Sequence, residues 1–381
     1  MRRTLAWAAL PLLLVAAVAA ILLVTDPMRG LDAGVPPIER LSVERTVLDG
    51  DGITLTVRAG GSEPVDLAQI QVDGAYWSFS QDPPGPIGHL ATVTLRLPYP
   101  WVQAETHRIV MLTRSGLAFE HVIDVAVATP AGSAGALRHL ALIGLTVGLL
   151  PVALGMLFFP ALRAGGRGLV TFALALTVGL LAFLLVDTMS EALELAAEAT
   201  PDLKATPLVW LVAASVAVLL FAAGRITGRR PEGAALATSI ALGIGLHNMG
   251  EGLAIGAAYA SGAVALGSYL VLGFTLHNVT EGIGIVSPIL RDPPRLGRLA
   301  ALAALAGLPA VLGIWLGAWA FTPFWAAMAL AVGAGAILQV VIEVSLLLGR
   351  QAGHGWASAP AVTGAALGIA VMYVTALLIP A

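Results

Sequence analysis

The sequence predicts a polytopic α-helical membrane protein: an eight-helix bundle preceded by an N-terminal anchor helix and an extracytoplasmic β-sandwich domain. Three observations predict it. Of 381 residues, 58% are hydrophobic and 11% are charged, a balance outside the range of soluble globular domains. Eight apolar runs of membrane-spanning length succeed one another from Leu137 onward. Between residues 27 and 132 the pattern changes to short alternating runs separated by turn residues, the sequence signature of a two-sheet β-domain.

Taken in order, residues 1–26 hold the apolar stretch Thr4–Val24 behind Arg2 and Arg3. Its length suits a membrane-spanning helix. Ala17-Val18-Ala19 resembles a signal-peptide cleavage site, but Ile21–Val24 continue the apolar run beyond it, which favours an uncleaved anchor over a signal peptide. Either way, the segment after it is exported. Residues 27–132 contain seven candidate strands: Leu41–Leu48, Ile53–Arg58, Leu67–Val72, Tyr76–Phe79, Ala91–Leu97, Arg108–Leu112 and Phe119–Val127. Asp49-Gly50-Asp51-Gly52, Gly60-Gly61 and Pro83-Pro84-Gly85-Pro86 punctuate them. This reads as a β-sandwich of immunoglobulin-like type. His89, His107 and His121 fall here without ligand spacing and read as solvated surface residues.

Residues 133–381 form the bundle, with spans at approximately 137–159, 169–190, 207–223, 236–258, 263–287, 298–320, 324–348 and 358–379. Arg163 and Arg167 follow span 1, Arg225, Arg229 and Arg230 span 3, Arg291, Arg295 and Arg298 span 5, and Arg350 span 7. The alternate loops hold only Lys204 among their basic residues. The positive-inside rule makes the arginine loops cytoplasmic. The β-domain and the C-terminus are then extracytoplasmic, in agreement with Arg2 and Arg3 staying inside.

One hexapeptide pattern occurs twice, thirty residues apart, on spans 4 and 5: His247-Asn248-Met249-Gly250-Glu251-Gly252 and His277-Asn278-Val279-Thr280-Glu281-Gly282. On a helix, His and Glu at i and i+4 share a face. Each copy offers an imidazole nitrogen, an amide oxygen and a carboxylate to one point, a mixture that Zn²⁺ and similar divalent ions accept. A lone buried His is commonly a packed, hydrogen-bonded residue. Two ionisable groups on one face at membrane depth, repeated on the next helix, cost too much to be packing alone. With no cysteines in the chain, any metal must be held by His, Asn, Asp, Glu or water. The pair is antiparallel, with three spans before it and three after, as where inverted halves meet around a midplane site. The glycines of span 4 fit either close helix contact or local unwinding.

Two further sets of polar residues lie in the spans. Asp187, Glu191, Glu194 and Glu198 recur at helical spacing at the end of span 2, forming an acidic stripe that suits a cation funnel. Gln339 and Glu343 are again i and i+4, toward the cytoplasmic third of span 7, where they could receive an ion on its path or snorkel at the helix end.

These residues resemble the ZIP (Zrt/Irt-like) metal transporters, whose fourth and fifth helices carry His-Asn-x-Pro-Glu-Gly-type motifs. The resemblance covers roughly Leu137–Leu378. It implies that His247, Asn248, Glu251, His277, Asn278 and Glu281 bind the transported ion, with Asp187, Glu191, Gln339 and Glu343 along its path. It departs from the family at the motif prolines, replaced by Gly250 and Thr280, and at the sixth-helix carboxylate, where Ala310 stands. It also lacks a His-rich loop after span 3 and adds the β-domain. The Ala310 departure implies one bound metal rather than two.

The function read from this is transport of Zn²⁺, or a similar divalent ion such as Fe²⁺, Mn²⁺ or Co²⁺, toward the cytoplasm. The partners are the ion, the lipid bilayer of a bacterial-type inner membrane and, as one option, a second copy in a homodimer. No enzyme activity is expected, and the net charge of −3 argues against nucleic acid. The rival classes are an intramembrane zinc-dependent hydrolase, which needs a metal-activated water, and a metal sensor that binds without flux.

Overall fold

The computed structural model describes residues 14–18, 20–21, 38–129, 133–226, 231–260, 264–291, 294–320, 322–351 and 355–377. Most of the anchor at 4–24 lies outside these, as do Arg229 and Arg230 and the start of span 5 at residue 263; residues 14–18 and 20–21 are helical.

The β-domain is two four-stranded antiparallel sheets. The first has the order β1 (Glu39–Asp49), β2 (Gly52–Gly61), β6 (Thr92–Leu97), β5 (Ser80–Asp82). The second has the order β4 (Ala75–Trp77), β3 (Leu67–Val72), β7 (His107–Thr113), β8 (Ala118–Ile123). Alternation drives one face of each sheet inward, so that Leu55 opposite Leu95 and Ile70 opposite Met111 are buried between the sheets. Eight strands stand where seven are expected, because the chain after Trp77 makes the short edge β5. The last expected strand stops at Ile123 instead of Val127: Ala126 pairs with Ala104 and Glu105 instead of extending β8. His107 is not a surface residue. Alternation on β7 turns it inward, where it is 2% exposed and pairs with Asp73.

The helical part begins with α1 (Ala134–Gly144), which runs through a π-helical segment, Leu145–Leu149, into α2 (Leu150–Met156) and then α3 (Phe159–Ala164). Next come α4 (Gly166–Glu198), α5 (Ala205–Ala223), α6 (Gly233–Ala260) and α7 (Val264–Val286). The broken pair α8 (Leu296–Gly307) and α9 (Pro309–Ala320) precedes α10 (Pro323–Gln351) and α11 (Ala359–Leu377). Among the described residues, seven helical stretches are long and apolar enough to cross a membrane. At 28 residues α6 has the length but is not one of the seven, because His247, Asn248 and Glu251 dilute its apolarity. The chain is thus a helical membrane protein with a β-domain. Trp210, Leu211, Val218 and Leu219 on α5 are exposed, as a lipid-facing side requires.

Close backbone approaches sort the helices into two sets. A side chain at Gly252 of α6 would meet the Ala310 carbonyl of α9, and one at Gly282 of α7 would meet the Val152 carbonyl of α2. In the other set, Gly179 of α4 backs onto Ala365 of α11, and Gly335 of α10 onto Ala213 of α5. The first set is α1, α2, α6, α7, α8 and α9; the second is α4, α5, α10 and α11. Where they meet between α6 and α10, the nearest neighbours of a Cβ at Gly243 are the Val340 and Gln339 side chains, and the Ala336 carbonyl lies farther off at 3.3 Å.

The β-domain rests on the end of the bundle away from the arginine loops. The Gly61 N–H donates to Asp202 at 3.0 Å, Arg40 lies 3.7 Å from the same carboxylate, and Arg45 donates to the Trp319 carbonyl. Asp202 follows α4, and Trp319 is near the end of α9.

Candidate metal centre

Both motif copies lie in helix interiors, and their six polar side chains are all buried. The two asparagines are held alike. In the π-segment, Pro151 has no N–H to give the Val147 carbonyl, its usual i−4 acceptor. Asn278 Nδ2 donates to that carbonyl at 3.0 Å. Pro309 likewise breaks the ladder between α8 and α9, and Asn248 Nδ2 donates to the neighbouring Ala306 carbonyl at 3.0 Å. Each amide nitrogen is thereby fixed on a broken helix. Each amide oxygen is buried and has no hydrogen-bond partner among the described residues. The closing glycines, Gly252 and Gly282, seat the copies against those same two interrupted spans.

The imidazoles and one carboxylate converge. His247 Nε2 lies 3.1 Å and His277 Nε2 lies 2.5 Å from the same oxygen, Glu251 Oε1. Asn278 Nδ2 also reaches Glu251 Oε2 at 3.3 Å. The ring centroids are 6.3 Å apart. His247, Glu251 and His277 offer ligand atoms within 4.8 Å of one another, the compactness a single metal ion needs. His277 therefore joins the Glu of the other copy rather than its own i+4 partner. Glu281 is 0% exposed, and among the described residues neither of its oxygens has a partner at full hydrogen-bond distance, although the Asn248 amide and both imidazoles are close enough to act on it. At the two positions of the motif prolines, Gly250 faces the Leu330 side chain and the Ala329 carbonyl, and the Thr280 hydroxyl donates back to the His277 carbonyl at 2.7 Å.

A cavity joins this cluster to the acidic stripe: Asp187, Glu191, His247 and Glu251 line it, with Phe274 and Leu330 on its walls. Glu194 and Glu198, farther along α4, do not line it. Gln339 and Glu343 sit elsewhere, on the arginine-loop side. Gln339 Nε2 donates to Ser239 Oγ at 3.1 Å and Arg225 Nη1 lies 2.5 Å from Glu343 Oε1. Arg225, counted in the sequence only as a topology signal, is part of this polar line. So are the Val147 and Ala306 carbonyls behind the asparagines, for which Pro151 and Pro309 are the sequence signals.

Ala310 is 1% exposed and packs toward Gly148 of the π-segment. A Cβ added at Gly148 would come within 2.7 Å of the Ala310 methyl group, so the two residues meet closely. The chain matches no family model and no curated protein.

Proposed function

We propose that the protein is a member of the ZIP family that carries Zn²⁺ or a similar divalent ion across the membrane, toward the arginine-loop face, which we read as cytoplasmic. In this reading Gly233–Ala260 is an eighth span and the β-domain is an extracytoplasmic, immunoglobulin-like module. Its sheet orders correspond to strands A-B-E-D and C′-C-F-G of that fold.

The observation that carries the reading is the buried triad His247–Glu251–His277, beside two amide oxygens and a carboxylate left without a full-distance hydrogen bond among the described residues. Buried polar atoms are nearly always paired. Oxygens from Asn248, Asn278 and Glu281 left unpaired around two imidazoles form a mixed N/O donor set suited to a borderline cation. The cavity toward Asp187 and Glu191 supplies an approach lined by negative charge, which concentrates cations. Two carboxylates, Glu251 and Glu281, offset one dication, and the filled space at Ala310 supports a single tightly held ion. The bound ion is cargo, so its ligands must also release it. A release route on the opposite side fits the polar line through Gln339 and Glu343.

The test is uptake by the purified protein in liposomes loaded with a metal-sensitive dye, run separately with Zn²⁺, Fe²⁺, Mn²⁺ and Co²⁺. Saturable uptake that His247→Ala abolishes, in a variant that still purifies as a folded protein, is the expected result. Metal binding without flux would overturn transport in favour of a sensor, and metal-dependent cleavage of lipid or peptide in favour of a hydrolase.

A further inference from the structure

We propose that Arg225 is the gate of the inner half of this pathway: its guanidinium occupies the exit carboxylate, Glu343, and must leave before a divalent cation can pass. The inference rests on the transport reading above.

α6 and α10 run side by side in opposite directions. Gly333 of α10 lies against His247, Gln339 against Gly243 and Ser239, and Glu343 lies farther along. From Gly333 to Glu343 is ten residues, about 15 Å of helix. Polar groups in this stretch are few and buried: Gln339 is 0% exposed and Glu343 3%. Gln339 uses its nitrogen on Ser239, and its buried oxygen has no hydrogen-bond partner among the described residues. That oxygen lies over Gly243, where a Cβ would come within 2.9 Å of it. An oxygen donor stands free between the triad and Glu343, and the terminal carboxylate is occupied.

What occupies it is held from three sides. Arg225 Nη1 donates to Glu343 at 2.5 Å and to the Phe221 carbonyl at 3.1 Å, and the guanidinium carbon sits 3.4 Å over the Phe221 ring. A surface arginine pairing for its own sake is worth little. Here the carboxylate is buried, and removing its partner would leave an uncompensated charge. A dication reaching Glu343 supplies that compensation, so ion and arginine compete for one acceptor. Phe221, one helical turn before Arg225, already holds the guanidinium by its carbonyl and its ring face, so the cation keeps part of its support when it gives up Glu343.

The chain has no cysteine, so one introduced thiol reports access cleanly. Val340 is 1% exposed and packs on Gly243 beside Gln339. In liposomes, Val340→Cys is labelled by a membrane-impermeant maleimide added on the arginine-loop face. With Arg225 in place, labelling should be slow. Arg225→Gln should speed it by about ten-fold or more, a population shift of the open state. Arg225→Lys should keep part of the protection, and the exchange Arg225→Glu with Glu343→Arg should restore it, which also covers the case in which Arg225→Gln does not fold. Equal labelling in all folded variants overturns the gate. Zn²⁺ flux in the same vesicles separates the two ideas. Flux with labelling indifferent to Arg225 rejects the gate and keeps transport. Labelling that follows Arg225 with no flux in any vesicle, the unsubstituted protein included, rejects transport and keeps Arg225 as the closure of a buried cavity.

Discussion

Among the described residues a buried histidine meets a carboxylate in two places, one in the β-domain, where Asp73 itself is exposed, and one in the bundle, where every group is buried. In the β-domain, His107 Nδ1 is 2.8 Å from Asp73 Oδ2, and its Nε2 accepts from the Val102 N–H at 3.2 Å. Asp73 also accepts from the Arg108 N–H at 2.8 Å and the Tyr99 hydroxyl at 2.9 Å. Both ring nitrogens and both carboxylate oxygens are used. In the bundle, His247, Glu251 and His277 converge just as closely, but Asn248 Oδ1, Asn278 Oδ1 and both oxygens of Glu281 have no full-distance hydrogen bond among the described residues. The first arrangement is complete as folded, whereas the second costs desolvation that nothing in the protein returns. Completeness of hydrogen bonding therefore separates a packed histidine from a ligand histidine, and burial alone does not.

The same contrast holds between the two copies of the motif. Glu251 hydrogen-bonds to both imidazoles and an amide, whereas Glu281 makes no full-distance hydrogen bond among the described residues and has only the Asn248 amide and the imidazoles near it. Substitution should expose this as a difference of sign. Glu251→Gln takes the acceptor away from His247 and His277, so both metal affinity and metal-free stability should fall, the affinity by about 100-fold or more given the cost of losing even an outer ligand. Glu281→Gln should also weaken metal binding. It removes an unpartnered buried charge, however, so the metal-free protein should be more stable by about 1–2 kcal/mol. Calorimetric Zn²⁺ titration and thermal unfolding in chelator measure the two quantities. Equal loss of stability in both variants would break the comparison.

A smaller effect is expected where the first copy packs against the broken span. Ala310→Glu should not build a second metal site, because its side chain enters the contact with Gly148. Overpacking of this kind costs about 1–3 kcal/mol before any charge is counted. Elemental analysis should find one tightly held metal in the unsubstituted protein and no more in the variant. A second equivalent in the variant would mean that α9 can shift to make room.

The smallest effect concerns the complete pair. Burial pushes the Asp73 carboxyl up, but hydrogen bonds from the Arg108 N–H, His107 and Tyr99 outweigh it and leave it below the usual carboxylate range. A depressed native value means the pairing contributes fully above the unfolded value, about 3.9. That contribution is lost as the pH falls from there through the native value. The protection factor of the Arg108 amide, its exchange measured against the unstructured rate at the same pH, should therefore fall on acidification below about pH 4, whereas Asp73→Asn should start with low protection and show no such step. Zn²⁺ should change neither. Protection by Zn²⁺ would mean that the β-domain pair is a metal site after all.

The sequence by itself determined which residues could meet at the centre, and the membrane character of their surroundings. The length of the apolar runs marked the helices, because lipid-facing and core-facing positions are both apolar over some twenty residues. Alternation located the core of the β-domain, because each strand buries every second residue. The doubled hexapeptide was visible because charge at membrane depth is costly enough to stand out. What tertiary structure decided is how the two copies divide the work. His277 and Glu281 are an i, i+4 pair just as His247 and Glu251 are, yet only the crossing of α7 over α6 sends His277 to Glu251 and leaves Glu281 alone. Pro151 and Pro309 could be read as helix breaks, but not that two asparagines from other helices would take up the carbonyls there. The partnership of Arg225 with Glu343, 118 positions apart, was equally invisible. Local spacing fixes which side chains share a helix face, and only packing fixes which faces meet.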